Sequence, residues 1–179
     1  YLDNNNFKYI AQDISEPLNI LDTAINYIFH AAGPMENKII VNRPLDVIMP
    51  NIYGTQNCLE YLRKQEIEKN IIGRLVVFSS VTVYSNTSDE DIVVSEADTA
   101  VTEALETTGE SYSQSKRISE VIARAYKKQF NTDVIIARFS TVYGDTRFIP
   151  DTAFFEFIKK ASSSEDILIN SSGSKRRDN

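Results

Sequence analysis

The chain has no tryptophan, one cysteine and one histidine in 179 residues. A single cysteine, Cys58, excludes an internal disulfide and any metal site built from several thiolates. It lies in a helical pattern and is expected to be a small buried apolar residue. Long apolar runs are also missing, so no segment is long enough to cross a bilayer as a helix. No secretory pattern opens the chain, and a cytoplasmic protein is expected. Charge is not blocked by sign. The formal net charge is −6, and the longest basic run is Lys175-Arg176-Arg177. That run reads as a solvated strip, and the charge pattern argues against a nucleic-acid footprint. Glycine is sparse: Gly33, Gly54, Gly73, Gly109, Gly144 and Gly173. No two stand close enough to build a glycine-rich phosphate loop, which needs several to bring backbone N–H groups and a helix N-terminus onto a pyrophosphate.

What is present suits a soluble domain with a real core, since 42% of residues are hydrophobic and 25% charged. Short strands are expected at Phe7–Ala11, Tyr27–Gly33, Leu75–Phe78, Val134–Ala137 and Ile167–Ile169. A loop with a short helix is expected over Ile14–Ile25. Pro34–Arg43 and the acidic Asn86–Gly109 stretch read as irregular. Helical spacing covers Asp46–Lys69, with Ile48, Ile52, Leu59, Leu62 and Ile67 on one side. A second helix is expected over Tyr112–Phe130, with Ile118, Val121, Ile122, Ala125 and Tyr126 on one side, and a third over Thr152–Ala161. The runs Leu75-Val76-Val77-Phe78 and Val134-Ile135-Ile136-Ala137 are apolar throughout, as in strands buried on both faces of a parallel sheet. Strands alternating with helices indicate an α/β fold, and such sheets bind ligands at the carboxyl ends of their strands. The expected strand ends carry Asp13, Ala31-Ala32-Gly33, Ser79-Ser80 and Ser140-Thr141. His30 reads as a packed strand residue rather than a ligand.

Tyr112 and Lys116 stand four apart near the start of a helix, and therefore on one face. A free phenol titrates near ~10, and a fixed ammonium beside it favours the phenolate and lowers that value. Such a pair can work as an acid/base. Alone the spacing is common. It gains weight from Asp13-Ile14, His30-Ala31-Ala32-Gly33, Asn51-x-x-Gly54-Thr55-x-Asn57, Ser79-Ser80-Val81-Thr82-Val83-Tyr84, Arg138-Phe139-Ser140-Thr141-Val142-Tyr143-Gly144 and Gly173-Ser174-Lys175-Arg176-Arg177-Asp178. Together and in this order, these segments resemble the extended short-chain dehydrogenase/reductase family, in particular its nucleotide-sugar epimerase and dehydratase members.

The resemblance implies a partial Rossmann-like, doubly wound parallel sheet with helices on both faces and the first β-α-β unit missing. Residues 1–144 would be part of a dinucleotide-binding domain and 145–179 the start of a substrate-binding region. The expectation is thus an internal fragment of a larger enzyme that, by itself, holds a dinucleotide very weakly or needs its missing part from another chain; titration calorimetry with NAD measures this, and micromolar binding would refute it. The implied cofactor is NAD, with NADP as the alternative. Tyr112 would be the acid/base, Lys116 would hold the nicotinamide ribose and lower the Tyr112 pKa, and Ser80 would bond the reacting oxygen. Asp13 and Ile14 would contact adenine. Ala31, Ala32, Gly33, Asn51, Ser79 and Phe139 would complete the cofactor site, and Thr82 and Thr141 would contact a nucleotide-sugar substrate. Dehydratase members place an Asp-Glu pair, and decarboxylating members a Glu, where this chain has Val81 and Thr82. Thr141 stands where many members have Asn, and Asp145 where proline is common. The implied activity is therefore epimerisation of a nucleotide-sugar through a transient 4-keto form. Keto-reductase, dehydratase or decarboxylase activity is the alternative, and a non-catalytic nucleotide-binding module is the rival. A homodimer through the two long helices is a family analogy.

Overall fold

The computed structural model describes residues 6–20, 24–84, 95–96, 109–140, 142–144 and 153–169. The described elements are β1 (Tyr27–His30), α1 (Asn37–Asn42), α2 (Pro44–Lys69), β2 (Arg74–Ser80), a 3-10 turn (Val81–Val83), α3 (Glu110–Phe130), β3 (Asp133–Phe139) and α4 (Ala153–Ser162). The strands form one sheet in the order β1-β2-β3, all parallel. Register runs from Tyr27 opposite Arg74 to His30 opposite Val77, and from Arg74 opposite Asp133 to Ser80 opposite Phe139. This is the Rossmann-like α/β arrangement expected from the sequence.

Side chains alternate across a strand, so Leu75, Val77 and Val134 share one face. That face meets Cys58, Leu59 and Leu62 of α2 and Ala123 of α3 in one buried cluster. Each fully buried leucine in it contributes roughly 1.5–3 kcal/mol. Cys58 is 1% exposed, and burial pushes its thiol up to about 12, as a packed apolar residue requires. On the opposite face, Tyr27 and Phe29 are 63% and 65% exposed, and Ile135 is 44% exposed. Among the described residues the packed helices thus lie on one face of the sheet, although the strands read as apolar on both.

The buried sides of the helices match the expected ones only in part: Leu59 and Leu62 are in the core and Ile122 and Tyr126 pack against it, but the rest differ. α3 buries Ser111, Ser113, Ser115, Lys116, Ser119, Glu120 and Ala123, while Ile118 and Val121 are exposed. α2 buries Val47, Asn51, Gly54, Thr55, Cys58, Leu59, Leu62 and Gln65, while Ile67 is 71% exposed. Small side chains let the two helices approach closely, and their hydroxyls find carbonyls at the contact. Ser119 Oγ donates to the main-chain oxygens of Asn51 (2.8 Å) and Ser115 (2.9 Å), and Thr55 Oγ1 donates to that of Asn51 (2.7 Å).

Both long helices stop the same way. Asn70 (φ 54°, ψ 37°) and Asn131 (φ 57°, ψ 25°) take the left-handed conformation that asparagine tolerates, and their N–H groups return to Glu66 and Lys127 oxygens. Only residues 70–73 then separate α2 from β2, and only 131–132 separate α3 from β3. Gln65 secures the chain entering β1. Its Oε1 accepts from Ile25 N (2.7 Å), and its Nε2 donates to the oxygens of Ile25 (2.9 Å) and Ile71 (3.2 Å).

Four expected stretches change. Residues 7–11 form no strand; they are exposed, and no described strand pairs with them. Residues 167–169 are likewise not a strand. Within the expected irregular stretch 34–43, Asn37–Asn42 is a helix. The described part of 14–25 contains no helix. The chain divides into two compact units, Tyr1–Thr87 with Val93–Phe139, and Ser88–Ile92 with Ser140–Asn179. The first holds the sheet with α1, α2 and α3. In the second, the ring of Phe154 on α4 lies 5.4 Å from those of Tyr143 and Phe155. Among the described residues, no helix is long and apolar enough to cross a membrane.

Candidate active site

Ser80 ends β2, and Tyr112 and Lys116 stand one turn apart in the first half of α3. The fold brings the three together at the carboxyl end of β2. The Ser80 side chain favours the ionised form of the Tyr112 phenol. Lys116 Nζ donates to Phe78 O (2.8 Å) and lies 5.8 Å from the centroid of the Tyr112 ring. Burial lowers the Lys116 ammonium to about 8, which still leaves it charged in neutral solution. Burial raises the Tyr112 phenol above its ordinary value, and the Ser80 side chain offsets only part of that rise. The lowering expected from Lys116 is not among the causes that shift Tyr112; withdrawal from water is the largest.

Asn51 ties α2 to this pair. Its Nδ2 donates to Val47 O (2.9 Å) and Ser115 Oγ (3.0 Å), and Ser115 Oγ donates to Tyr112 O (2.9 Å). The Asn51 Oδ1 atom is buried and has no hydrogen-bond partner among the described residues. It points to Gly33, where a Cβ would meet it at 2.9 Å, and Gly33 has φ +148°. A side chain at residue 33 is therefore disfavoured both by space and by backbone.

His30 lies beneath. It is 4% exposed, and a Cβ on Gly54 would come within 2.7 Å of its Cε1. Its ring nitrogens make no well-formed hydrogen bond, although the Pro50 and Asn51 backbone favours its protonated form slightly. Burial, with help from the Lys116 charge, lowers it from 6.5 to about 4. The unfolded chain protonates His30 near 6.5, while the folded chain resists until about 4. Stability is therefore full above pH 6.5 and falls as pH drops toward 4. At about 1.4 kcal/mol per unit, the loss is roughly 3 kcal/mol. Urea midpoints between pH 7 and 4.5 should show this slope, and His30→Leu should flatten it. An unchanged slope in the variant would locate the titration elsewhere.

The other expected residues fall as follows. Ser79 is buried, and its hydroxyl donates to Glu120 Oε1 (2.6 Å), so its side chain serves the packing between β2 and α3. Phe139 is 38% exposed and stacks on Phe78 at 4.7 Å. Ala31 and Ala32 are exposed just past β1. Asp13 follows no strand; its Oδ1 accepts from Ser15 N (2.8 Å) in a local turn. Ile14 packs beside Gly54 and the core, and its carbonyl accepts from Asn57 Nδ2 (2.9 Å). Thr82 hydrogen-bonds Ser80. Thr141 lies outside the described residues.

Glu120 and Arg138 were not singled out from the sequence, yet they clasp the strand ends together. Arg138 Nε and one terminal nitrogen donate to the two Glu120 oxygens at 2.8 and 2.7 Å, and the guanidinium lies 4.6 Å from the Tyr84 ring centroid. Burial pushes the Glu120 carboxyl up, but bonds from Arg138 and Ser79, with the charges of Arg138 and Arg124, bring it below its ordinary value. The signal was available: Tyr112, Lys116 and Glu120 continue one spacing of four along one helix face.

Relatives were found by sequence and by structure. The chain is 27% identical to the UDP-glucuronate 4-epimerase of Thermodesulfobacterium geofontis, covering 97% of this chain and 50% of that protein. It is 26% identical to UDP-glucuronic acid decarboxylase 1 of Danio rerio, covering 99% of this chain and 40% of that protein. The chain thus spans half or less of the length of these relatives. A solved UDP-glucuronic acid 4-epimerase from Bacillus cereus, in complex with UDP-glucuronic acid and NAD, superposes with a TM-score of 0.71 at 26% identity, covering 98% of this chain and 52% of that one. With a family match that runs over residues 9–179, the chain belongs to the NAD dependent epimerase/dehydratase family.

Proposed function

We propose that this chain carries the proton-handling part of an NAD(P)-dependent nucleotide-sugar 4-epimerase. The observation that carries this reading is the convergence of Ser80, Tyr112 and Lys116 at the end of β2, with no carboxylate at the two positions that follow Ser80. The residues fit a dinucleotide. The unpartnered Asn51 Oδ1, the bare backbone at Gly33 and the Lys116 ammonium offer an acceptor, a close approach and donors on one side. Ala31, Ala32 and Phe139 would line the same cofactor, and Asp13 and Ile14 would meet its adenine. When bound, the nicotinamide would take hydride from C4 of the sugar and return it to the other face.

The chain's own residues handle the proton. Tyr112 takes it from the 4-hydroxyl as phenolate and returns it as phenol, with Ser80 bonded to the same oxygen. Lys116 holds a positive charge beside the pair at neutral pH. Val81 and Thr82 offer no acid or base at neutral pH. Glu120, the carboxylate that reaches this strand end, is bound to Arg138 and Ser79. These features favour epimerisation over loss of water or carbon dioxide.

The test is to incubate the whole protein with catalytic NAD and a panel of UDP-hexoses and UDP-hexuronates, followed by proton NMR. The expected result is a mixture of C4 epimers with no net reduced cofactor. A decarboxylated pentose, or stoichiometric use of reduced cofactor, would overturn the reading.

A further inference from the structure

Residues 12–19 form neither helix nor strand, yet they are held at both ends and in the middle. Gln12 closes the stretch on itself: its Nε2 donates to Pro17 O (2.7 Å), and its Oε1 accepts from Asn19 N (3.1 Å). Inside it, Asp13 Oδ1 accepts from Ser15 N (2.8 Å), and Asp13 O accepts from Glu16 N (3.2 Å). Ile14 and Leu18 pack against the buried cluster. The polar tie to α2 is Asn57. Its Nδ2 donates to Ile14 O (2.9 Å) and to Glu16 O (2.8 Å). Both partners are carbonyls, which only accept, so the amide nitrogen rather than the amide oxygen has to face them. The two bonds use both protons of that nitrogen. They grip the turn that orients the Asp13 carboxylate, on either side of Ser15.

We propose that Asn57 is a positioning residue for the dinucleotide: by gripping the carbonyls of Ile14 and Glu16, it sets the Asp13 carboxylate for the exocyclic amine of adenine. This rests on the reading that Asp13 meets the adenine. Asp13 is exposed, and Ser15 N takes one place on Oδ1, so the carboxylate keeps acceptor capacity for an amine N–H. A turn clipped at two carbonyls is ordered before the ligand arrives. The entropy cost of ordering it then falls on folding rather than on binding. Without the clip, the turn keeps only its own bonds and the apolar anchors Ile14 and Leu18, and Asp13 samples other positions. Asn57 takes no part in handling the proton.

Deamino-NAD is the probe, because its hypoxanthine carries a carbonyl oxygen where adenine carries the amine. Calorimetric titration of the whole protein with NAD and with deamino-NAD gives the ratio of the two affinities. The wild type should bind NAD about tenfold tighter, the worth of one hydrogen bond to a charged group. Asn57→Leu removes both donors, and Asn57→Asp keeps the shape while replacing them with an acceptor. In both variants NAD should weaken about tenfold, to the level of deamino-NAD, and deamino-NAD should stay within about threefold of its wild-type value. A wild-type ratio kept in either folded variant, whether or not the two affinities fall together, overturns the proposal, because Asn57 would then be a structural tie alone. A wild type that binds the two dinucleotides alike removes Asp13 from the adenine site, and this inference with it. Titration needs no turnover. The expected ratios in a protein that epimerises nothing support this inference and overturn only the epimerase reading.

Discussion

Tyr112→Phe should lower kcat by about 10²–10⁴-fold, the range for removing a positioned acid/base. Phenylalanine keeps the ring and its packing near Lys116 and removes only the phenol oxygen. Substrate affinity should stay within about threefold, because the loss falls on the proton in flight rather than on ground-state binding. Steady-state rates give the first quantity, and calorimetric titration with the nucleotide-sugar gives the second. A variant that turns over within tenfold of the wild type would remove Tyr112 from the chemistry. A variant that loses affinity and rate equally would make it a binding residue.

Arg138→Leu should cost roughly 3–5 kcal/mol at neutral pH, the penalty for leaving one partner of a buried ion pair behind. The Glu120 side chain is 5% exposed and that of Arg138 17% exposed. Arg124 also pairs with Glu120, but at 3.9 Å and from a side chain 65% exposed, so it replaces little of what Arg138 supplies. The pH dependence should also change sign. In the wild type the folded state holds the Glu120 pKa low, so its contribution is present above the unfolded value and fades as pH falls through the folded one. In the variant, burial acts with little opposition and raises that carboxyl. The folded state is then favoured where Glu120 is protonated and loses ground as pH rises. The gap between wild type and variant in urea midpoint should therefore narrow from pH 7 to pH 5. Glu120→Leu combined with Arg138→Leu should recover much of the loss, since no buried charge is left. A deficit under 1 kcal/mol at pH 7 would mean that water reaches Glu120.

The meeting of Tyr112, Lys116 and Ser80 was legible because a spacing of four puts the first two on one face at a helix start and Ser80 closes a strand. β2 and β3 were readable because a centrally paired strand has to be apolar along its length. The buried side of α3 was not readable from periodicity. Hydrophobic spacing follows Ile118 and Val121, but the contact with α2 selects Ser115, Ser119 and Ala123 for their size, and their hydroxyls are satisfied by carbonyls visible only in three dimensions. The segment 7–11 has strand-forming residues, yet a strand exists only with a partner, and local pattern carries no information on pairing. The Arg138 clasp joins residues 18 apart in sequence on two different elements, and its only local trace was the spacing from Lys116 to Glu120. The sequence also placed Lys116 beside the phenol but could not weigh its charge against withdrawal from water.

The two asparagine stops leave residues 70–73 and 131–132 as the whole of the returns into β2 and β3. At the other end of β2, residues 84–109 lie between the 3-10 turn and α3. Room for change in this chain is therefore one-sided. An inserted or deleted residue in the two-residue return would shift β3 against β2 and turn its side chains to the wrong face. A change of length in 84–109 falls between the 3-10 turn and α3 and does not touch the two-residue return that sets the register of β3. For an engineer, length can be traded in that connection while the short returns that aim β2 and β3 are kept as they are.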